Sequence, residues 1–295
     1  MSAQAASKSP DVAINDTNFS SYLKWHAKNA DTNGDGYLSR KEASNVKEIH
    51  FDSSDYVDSI KGIENFTNLE NFDYDEMFFD ESEGIYQKAT ASVIDLSNFK
   101  KLKRVQIYTI TDYLRTINLQ DCTNLREVYI TGGCDSCIDA LNLKGCTNLR
   151  AIEGWGGRTG ITSMDLSKNK KLETLSCYWT ELVSLDLSNN PNLIKVDCHK
   201  NPNLTKVNVK GCRKLRTLRL DNTNLEKLNV KTNTNLQVLR CKNTNLEKLN
   251  LKRNVNLRKL LCENTRLTEL DLSNTRIRES SALECDPDVT VTYAK

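Results

Sequence analysis

From Leu172 onward, apolar residues return as Leu-x-x-Leu-x-(Leu/Cys/Val). The last apolar residue of each copy falls at Cys177, Leu187, Cys198, Val209, Leu220, Val230, Cys241, Leu251, Cys262 and Leu272. The steps are of ten or eleven residues, so two alternating half-repeats make a period near 21. The same frame continues upstream through Leu96, Ile107, Leu119, Ile130, Leu143, Gly154 and Leu166, with slightly longer coils. Fainter copies surround Ile60 and Ile63, and Phe72 and Tyr74.

Leu-x-Leu is period-two alternation, which predicts a short strand with two side chains inward and one outward. Ten or eleven residues leave no room for a helix and its turns. Each full coil is therefore predicted to hold two strands on opposite sides, joined by tight Asn/Thr-rich corners such as Thr234-Asn235-Leu236. Stacked coils give two parallel sheets around a thin apolar interior, each strand adding about 4.8 Å of length. One coil cannot bury its own Leu row, so many copies are required.

Composition agrees: 36 Leu and 32 Asn among 295 residues, against 12 Gly and 4 Pro, is the usage of a repeat protein. Half-repeats such as Leu185-Asp186-Leu187-Ser188-Asn189-Asn190 and Leu270-Asp271-Leu272-Ser273-Asn274-Thr275 resemble leucine-rich repeats. More narrowly they resemble the bacterial class with nested ten- and eleven-residue units, common in secreted and surface-attached proteins; the resemblance covers roughly residues 59–285. It implies a mainly β solenoid and says little about the ligand.

Ten cysteines follow the same register. Cys177, Cys198, Cys241, Cys262 and Cys285 take the second apolar slot of one half-repeat. Cys122, Cys146 and Cys212 stand three residues after the other strand, where Asn169, Asn190, Asn233 and Asn254 stand elsewhere. These eight are expected to be small buried hydrophobes rather than metal ligands, because they recur once per coil instead of clustering. Cys134 and Cys137 lie outside the frame and are expected to be a loop disulfide or two idle thiols, with a redox pair the weaker reading.

One segment carries recognisable cation chemistry. Asp31-Thr-Asn33-Gly-Asp35-Gly36-Tyr37-Leu38-Ser39-Arg-Lys-Glu42 matches the twelve-residue calcium loop at its informative positions. Phe19, Tyr22, Leu23 and His26 before it, and Ala43, Val46 and Ile49 after it, stand at helical spacing. The loop resembles an EF-hand. That resemblance implies side-chain oxygens from Asp31, Asn33 and Asp35, the Tyr37 carbonyl, Ser39 directly or through water, and both Glu42 oxygens around Ca2+. A lone loop suits a clip that orders an N-terminal cap better than a sensor. Its expected affinity, about 10⁻⁴ to 10⁻³ M, matches extracellular calcium.

Stacking turns equivalent positions into columns. On one sheet the outward residue reads Asp95, Asn118, Asn142, Asp165, Asp186, Asn208, Asn229, Asn250, Asp271, a pattern suited to a hydrogen-bonded ladder. Lys206, Lys210, Lys227, Lys231, Lys248 and Lys252 flank three of its rungs and could meet a polyanion, or could be a solvated face. The other sheet presents Tyr108, Tyr129, Thr131, Trp155, Tyr178 and His199, aromatics suited to a protein or glycan partner unless residues 153–160 fold over them. Residues 1–150 carry net −7 and residues 151–295 net +9, so charge is bipolar along the chain.

The expected organisation is a disordered segment at 1–13, a helical EF-hand-like cap at 14–50, the solenoid at 51–285 and a closing strand at 286–295. No apolar run approaches the roughly 20 residues of a membrane span. The expected function is non-catalytic recognition or adhesion at the cell surface or outside it, by a monomer whose signal peptide has been removed. Polyanion binding through the lysines, or a ligand-free scaffold, is the alternative; nucleic acid is not an expected partner.

Overall fold

The structure is a computed structural model that describes residues 30–33, 38–51, 59–75, 91–109, 112–133, 138–154, 159–278 and 282–294. Every paired strand is parallel to its neighbour. One flank is a single eleven-stranded sheet running from Glu48–Phe51 through Asn71–Asp75, Arg104–Thr109, Glu127–Gly132, Ala151–Glu153, Thr174–Ser176, Lys195–Asp197, Thr217–Arg219, Val238–Arg240 and Lys259–Leu261 to Leu283–Glu284. Register follows the repeat: Thr174 pairs with Lys195, Lys195 with Thr217, Thr217 with Val238 and Val238 with Lys259. The central residues Leu175, Val196, Leu218, Leu239 and Leu260 point inward and are fully buried.

The opposite flank departs from the expected continuous sheet. It breaks into three short sheets: Val93–Asp95, Thr116–Asn118 and Ala140–Asn142; Ser184–Asp186 with Lys206–Asn208; and Glu269–Asp271 with Thr290–Thr292. Residues 163–166, 227–230 and 248–251 keep the apolar pattern but lie outside any hydrogen-bonded strand. A ladder needs neighbours about 4.8 Å apart. The long sheet keeps its ladder from end to end, whereas the opposite flank keeps it only within its three short sheets.

The thin interior joins apolar columns to a polar one under the short-flank corners. There Asn190, Asn233 and Asn254 turn inward, each donating its amide to two carbonyls of the preceding coil at 2.9–3.1 Å. Asn169 donates in the same way to the Cys146 carbonyl at 3.0 Å. Cys122, Cys146 and Cys212 stand in the same column and donate their thiols to carbonyls at 3.0–3.2 Å. Burial pushes Cys122 and Cys212 up to about 11 and Cys146 and Cys262 to about 12, so these thiols stay protonated. Cys177, Cys198, Cys241 and Cys262 are fully buried behind the long sheet, as the register requires, whereas Cys285 at its end is only half-buried. Cys134 and Cys137 lie outside the described residues.

At the N-terminal end, the helical spacing through Val46 and Ile49 does not become a helix. A single turn, Arg40–Ala43, is followed by the strand Glu48–Phe51, so the sheet begins inside the expected cap. Ile49 and Phe51 alternate with exposed Glu48 and His50, and that period-two face is buried against Phe72 and Tyr74. Pairing with Asn71–Asp75 along four residues overrides the weaker helical spacing.

Candidate functional site

The outer face of the long sheet is built from columns one coil apart. Ser176, Asp197, Arg219 and Arg240 are ladder partners in one column. Two residues beyond each strand residue, Tyr178, His199, Asp221 and Lys242 form the next. The Tyr178 and His199 rings stack with centroids 4.8 Å apart. His199 Nδ1 lies 2.7 Å from Asp197 Oδ1, and Arg219 reaches the other Asp197 oxygen at 3.4 Å. Burial alone would raise the Asp197 carboxyl; the hydrogen bond and charge of His199, with Arg219, outweigh it and hold it below the ordinary range. Arg219 and Arg240 both grip Asp221, at 3.1 and 2.9 Å, and Lys242 pairs with Glu263 and Glu284. A lattice of alternating charge therefore runs down the sheet from the aromatic pair.

Beside it lies an open hollow of about 420 Å³ walled by Tyr129, Tyr178 and Trp179, with Asp197, His199 and Arg219 on its floor and Glu153, Lys195 and Lys200 at its rim. Tyr129 lies over Gly154, where a Cβ would come within 2.6 Å of the ring; with φ +92 as well, that position is closed to other residues. Burial, then the Tyr129 and Asp197 charges, raise the Tyr178 hydroxyl.

The corner after each of the five strands from Thr174–Ser176 to Lys259–Leu261 adopts the left-handed conformation. Asn222, Asn243 and Asn264 sit there at φ 54–58, a geometry asparagine tolerates, and their amides bond to one another at 2.7 and 2.8 Å. In the two preceding coils the corner residues are Lys200 (φ 57) and Trp179 (φ 60). Left-handed backbone at a bulky residue costs about 1 kcal/mol or more. Trp179 nevertheless stays 42% exposed, with the Lys200 ammonium 4.7 Å from its ring centre.

The residues expected on this face divide. Tyr129, Tyr178 and His199 come together; Tyr108 and Thr131 pair with each other on neighbouring strands, half-buried and apart from the hollow. Trp155 lies outside the described residues. Trp179, Lys200, Asp197 and Arg219 were missed because they occupy corners and strand ends. The legible signal was the break in the Asn222, Asn243, Asn264 column.

In the calcium loop, Asp31, Asn33, Ser39 and Glu42 are described, and Asp35 and Tyr37 are not. Glu42 is buried, and its carboxylate closes the loop. One oxygen accepts from the Thr32 N–H and hydroxyl at 2.9 Å and the Asn33 N–H at 3.3 Å. The other accepts from the Ser39 N–H at 3.0 Å and hydroxyl at 2.7 Å, while Ser39 Oγ caps the helix through the Glu42 N–H. Hydrogen bonds from Ser39 and then Thr32 lower this carboxyl to about 2 against burial. The second, third and ninth positions of the loop thus gather around the ionised, buried carboxylate of the twelfth, and Asp31, Asn33, Ser39 and Glu42 bear the oxygen groups that suit a hard cation.

All six lysines of the other flank are exposed, and none forms an ion pair among the described residues. The expected ladder is present in part, on the paired strands; among the described residues Asn208, Asn229, Asn250 and Asp271 form no side-chain bond to one another. Asn118 bonds to Asp95, Asn142 to Asn118 and Asn208 to Asp186 at 2.9–3.1 Å. Asn208, Asn229 and Asn250 also each accept the N–H two residues on, at 3.1 Å.

No protein-family model matches the chain, and no curated protein matches it. Solved structures do resemble it. The Toll–Spatzle complex of Drosophila aligns at 16% identity and TM-score 0.53, covering 87% of this chain and 36% of that one. The InlJ functional domain of Listeria monocytogenes, described as including a cysteine ladder, gives 18% identity and TM-score 0.40 over 92% and 73%. The leucine-rich repeat domain of the type III effector XopL gives 14% and 0.42 over 99% and 98%. These likenesses are of fold: the chain is a mainly β, parallel-sheet solenoid of the leucine-rich-repeat kind.

Proposed function

We propose that the long sheet is a non-catalytic recognition face for a protein partner, with Tyr129, Tyr178 and Trp179 as its anchor. The observation that carries this is the corner column. At two successive coils, and only beside the hollow among the described residues, the asparagine that suits the corner gives way to a strained Trp and Lys. Strain held where it exposes an aromatic side chain marks a functional position. A protein suits the site better than a sugar, because Lys200 already occupies the Trp179 ring face and the charge lattice extends the surface well past one ring. The Toll–Spatzle neighbour, by its description a protein complex, supports the same class of use.

The test is a panel of purified extracellular protein domains and glycans, probed with wild type, Trp179→Asn and Tyr178→Ala at two salt concentrations. Expected are protein ligands that lose about 30-fold or more in both variants, the loss of a buried aromatic anchor, with little change on adding salt. Ligands held equally by all three proteins would sink the reading, and loss confined to glycans would replace protein by sugar.

The loop around Glu42 is proposed to hold one Ca2+ that orders the N-terminal end of the stack. A weak site of this kind suits a secreted or surface-attached chain, where calcium is millimolar. Glu42→Gln keeps the capping box but gives up a charged ligand oxygen. Calcium at millimolar concentration should raise the melting temperature of wild type over that in chelator, and should raise that of Glu42→Gln less. Equal wild-type curves in the two conditions would remove calcium from the account.

A further inference from the structure

One edge of the solenoid carries a dense positive charge. It is the edge where each coil turns from the short flank to the long sheet, above the buried Asn and Cys column. Over five successive coils these turns, 167–174, 188–195, 210–217, 231–238 and 252–259, hold thirteen Lys or Arg and one carboxylate, Glu173. The turns on the other edge of the same coils, 177–183, 198–205, 220–226, 241–247 and 262–268, hold three and five. All thirteen cations are exposed, and none forms an ion pair among the described residues. Glu173 is already taken by Arg150 of the preceding coil at 2.6 Å. Flanking carboxylates are engaged as well: Asp165 and Asp186 accept the N–H groups of Ser167 and Ser188, and Asp197 is held by His199 and Arg219. The edge is also rigid. Arg150, Glu173, Ile194, Arg216, Gln237 and Arg258 stand at one place in successive coils, each carbonyl accepting the N–H of the next at 2.8–2.9 Å. Two aliphatic side chains stand exposed among the cations: Ile194 in that column, at 39%, and Val255 in the column of Lys170 and Arg213, at 51%.

We propose that this edge docks on a bilayer surface of anionic phospholipid, its cations against the headgroup phosphates and Ile194 and Val255 entering the interface. Charge complementarity selects an anionic partner: clusters of about four to eight basic residues already bind anionic membranes, and this edge exceeds that. The aliphatic pair then selects among anionic partners, since exposed apolar side chains set beside basic ones suit the headgroup–acyl boundary. A nucleic-acid duplex would satisfy the cations with its phosphates but leave both aliphatics against a polar backbone. A single strand wants aromatic side chains for its bases, and these turns contain none. An acidic polypeptide offers the charge without an apolar layer beneath it.

The experiment is co-sedimentation of the full chain with vesicles of phosphatidylcholine alone and of phosphatidylcholine mixed with phosphatidylglycerol; binding to a DNA duplex and to poly-glutamate is measured alongside. Wild type should bind the mixed vesicles and leave the neutral ones, and added salt should weaken it. Arg213→Gln/Lys214→Gln/Arg216→Gln should lose about 100-fold, roughly fivefold for each cation taken from the surface. Lys206→Gln/Lys227→Gln/Lys248→Gln, which removes equal charge from the short flank, should lose less than about threefold. Ile194→Ser/Val255→Ser should lose about tenfold and keep its preference for anionic vesicles. All the substituted side chains are exposed, so melting temperatures should match wild type and establish that each variant folds. Equal binding of neutral vesicles, equal loss in the two triple variants, or Ile194→Ser/Val255→Ser binding as wild type would overturn the proposal. Tighter binding of the duplex or of poly-glutamate than of mixed vesicles would overturn it too. None of these substitutions touches Tyr129, Tyr178 or Trp179, so the outcome is independent of the protein-recognition reading.

Discussion

Trp179 and Lys200 hold a conformation that their neighbours in the column reach with asparagine. The double variant Trp179→Asn/Lys200→Asn would extend the corner amides to five successive coils. It gives up a cation–π contact worth about 0.5–1 kcal/mol at an exposed site. It relieves left-handed strain of about 1 kcal/mol or more at each of two residues. The expected net is a gain of about 1 kcal/mol in a urea melt, accompanied by loss of partner binding; a lower midpoint would mean that these side chains stabilise the fold instead. Glu42 makes a prediction of opposite sense. Its carboxyl ordinarily titrates at 4.5 and here lies near 2. The folded state therefore favours the ionised form, and the stability it confers is complete above about pH 4.5 and disappears as pH falls toward 2. Glu42→Gln should flatten the fall in melting temperature across that window, and identical wild-type and variant profiles there would contradict the assignment. Neither residue's energetics was readable in the sequence. Glu42 was legible as the twelfth position of the loop from its spacing, but the hydrogen bonds from Thr32 and Ser39 depend on how the loop closes.

At the scale of the element, the short-flank corners are where sequence and structure agree most closely. Asn and Cys alternate in one slot because both are small enough to turn beneath the backbone and donate to a carbonyl there. Asn233 shows the difference between them: it donates at 2.9 Å to Val209 and 3.0 Å to Cys212, where Cys212 in its own coil donates once, at 3.2 Å to Leu187. Asn233→Ala should cost about 2 kcal/mol, from two lost bonds and a small void. Asn233→Cys should cost about half as much, since one donor survives. Urea midpoints would show the order, and an alanine as well tolerated as cysteine would mean that the slot selects for size alone. Strands of the long sheet were equally legible, because Leu-x-Leu or Val-x-Cys alternation admits one inward face. The short flank was legible as a second parallel flank, but not where its ladder breaks, for an instructive reason. Residues 227–230 and 248–251 have the same alternation, which reports which side chains are buried and not whether the next coil is close enough to bond. Between Ala43 and Phe51 the pattern fitted two periods, and contact with Phe72 and Tyr74, distant in sequence, decided for the strand.

Across the whole molecule, the two flanks have different cohesion although their side chains are packed alike. At the ends of four short-flank strands, Leu96, Leu119, Leu187 and Leu272 donate their N–H to the next coil at 2.8–2.9 Å. Val209, Val230 and Leu251 occupy the same register, as deeply buried, and make no such bond. On the long sheet the matching donors, Leu220 and Cys241, bond at 2.8 Å in the very coils where the short flank is open. In a solenoid each coil is stabilised by its two neighbours, so local opening should reflect these bonds more than burial. Native-state hydrogen exchange separates the two: the amides of Leu220 and Cys241 should exchange about fivefold more slowly than those of Val230 and Leu251, one lost hydrogen bond being worth about 1 kcal/mol. Burial alone predicts equal rates, because all four side chains are excluded from solvent. Equal rates would mean that the coils close up in solution on both flanks.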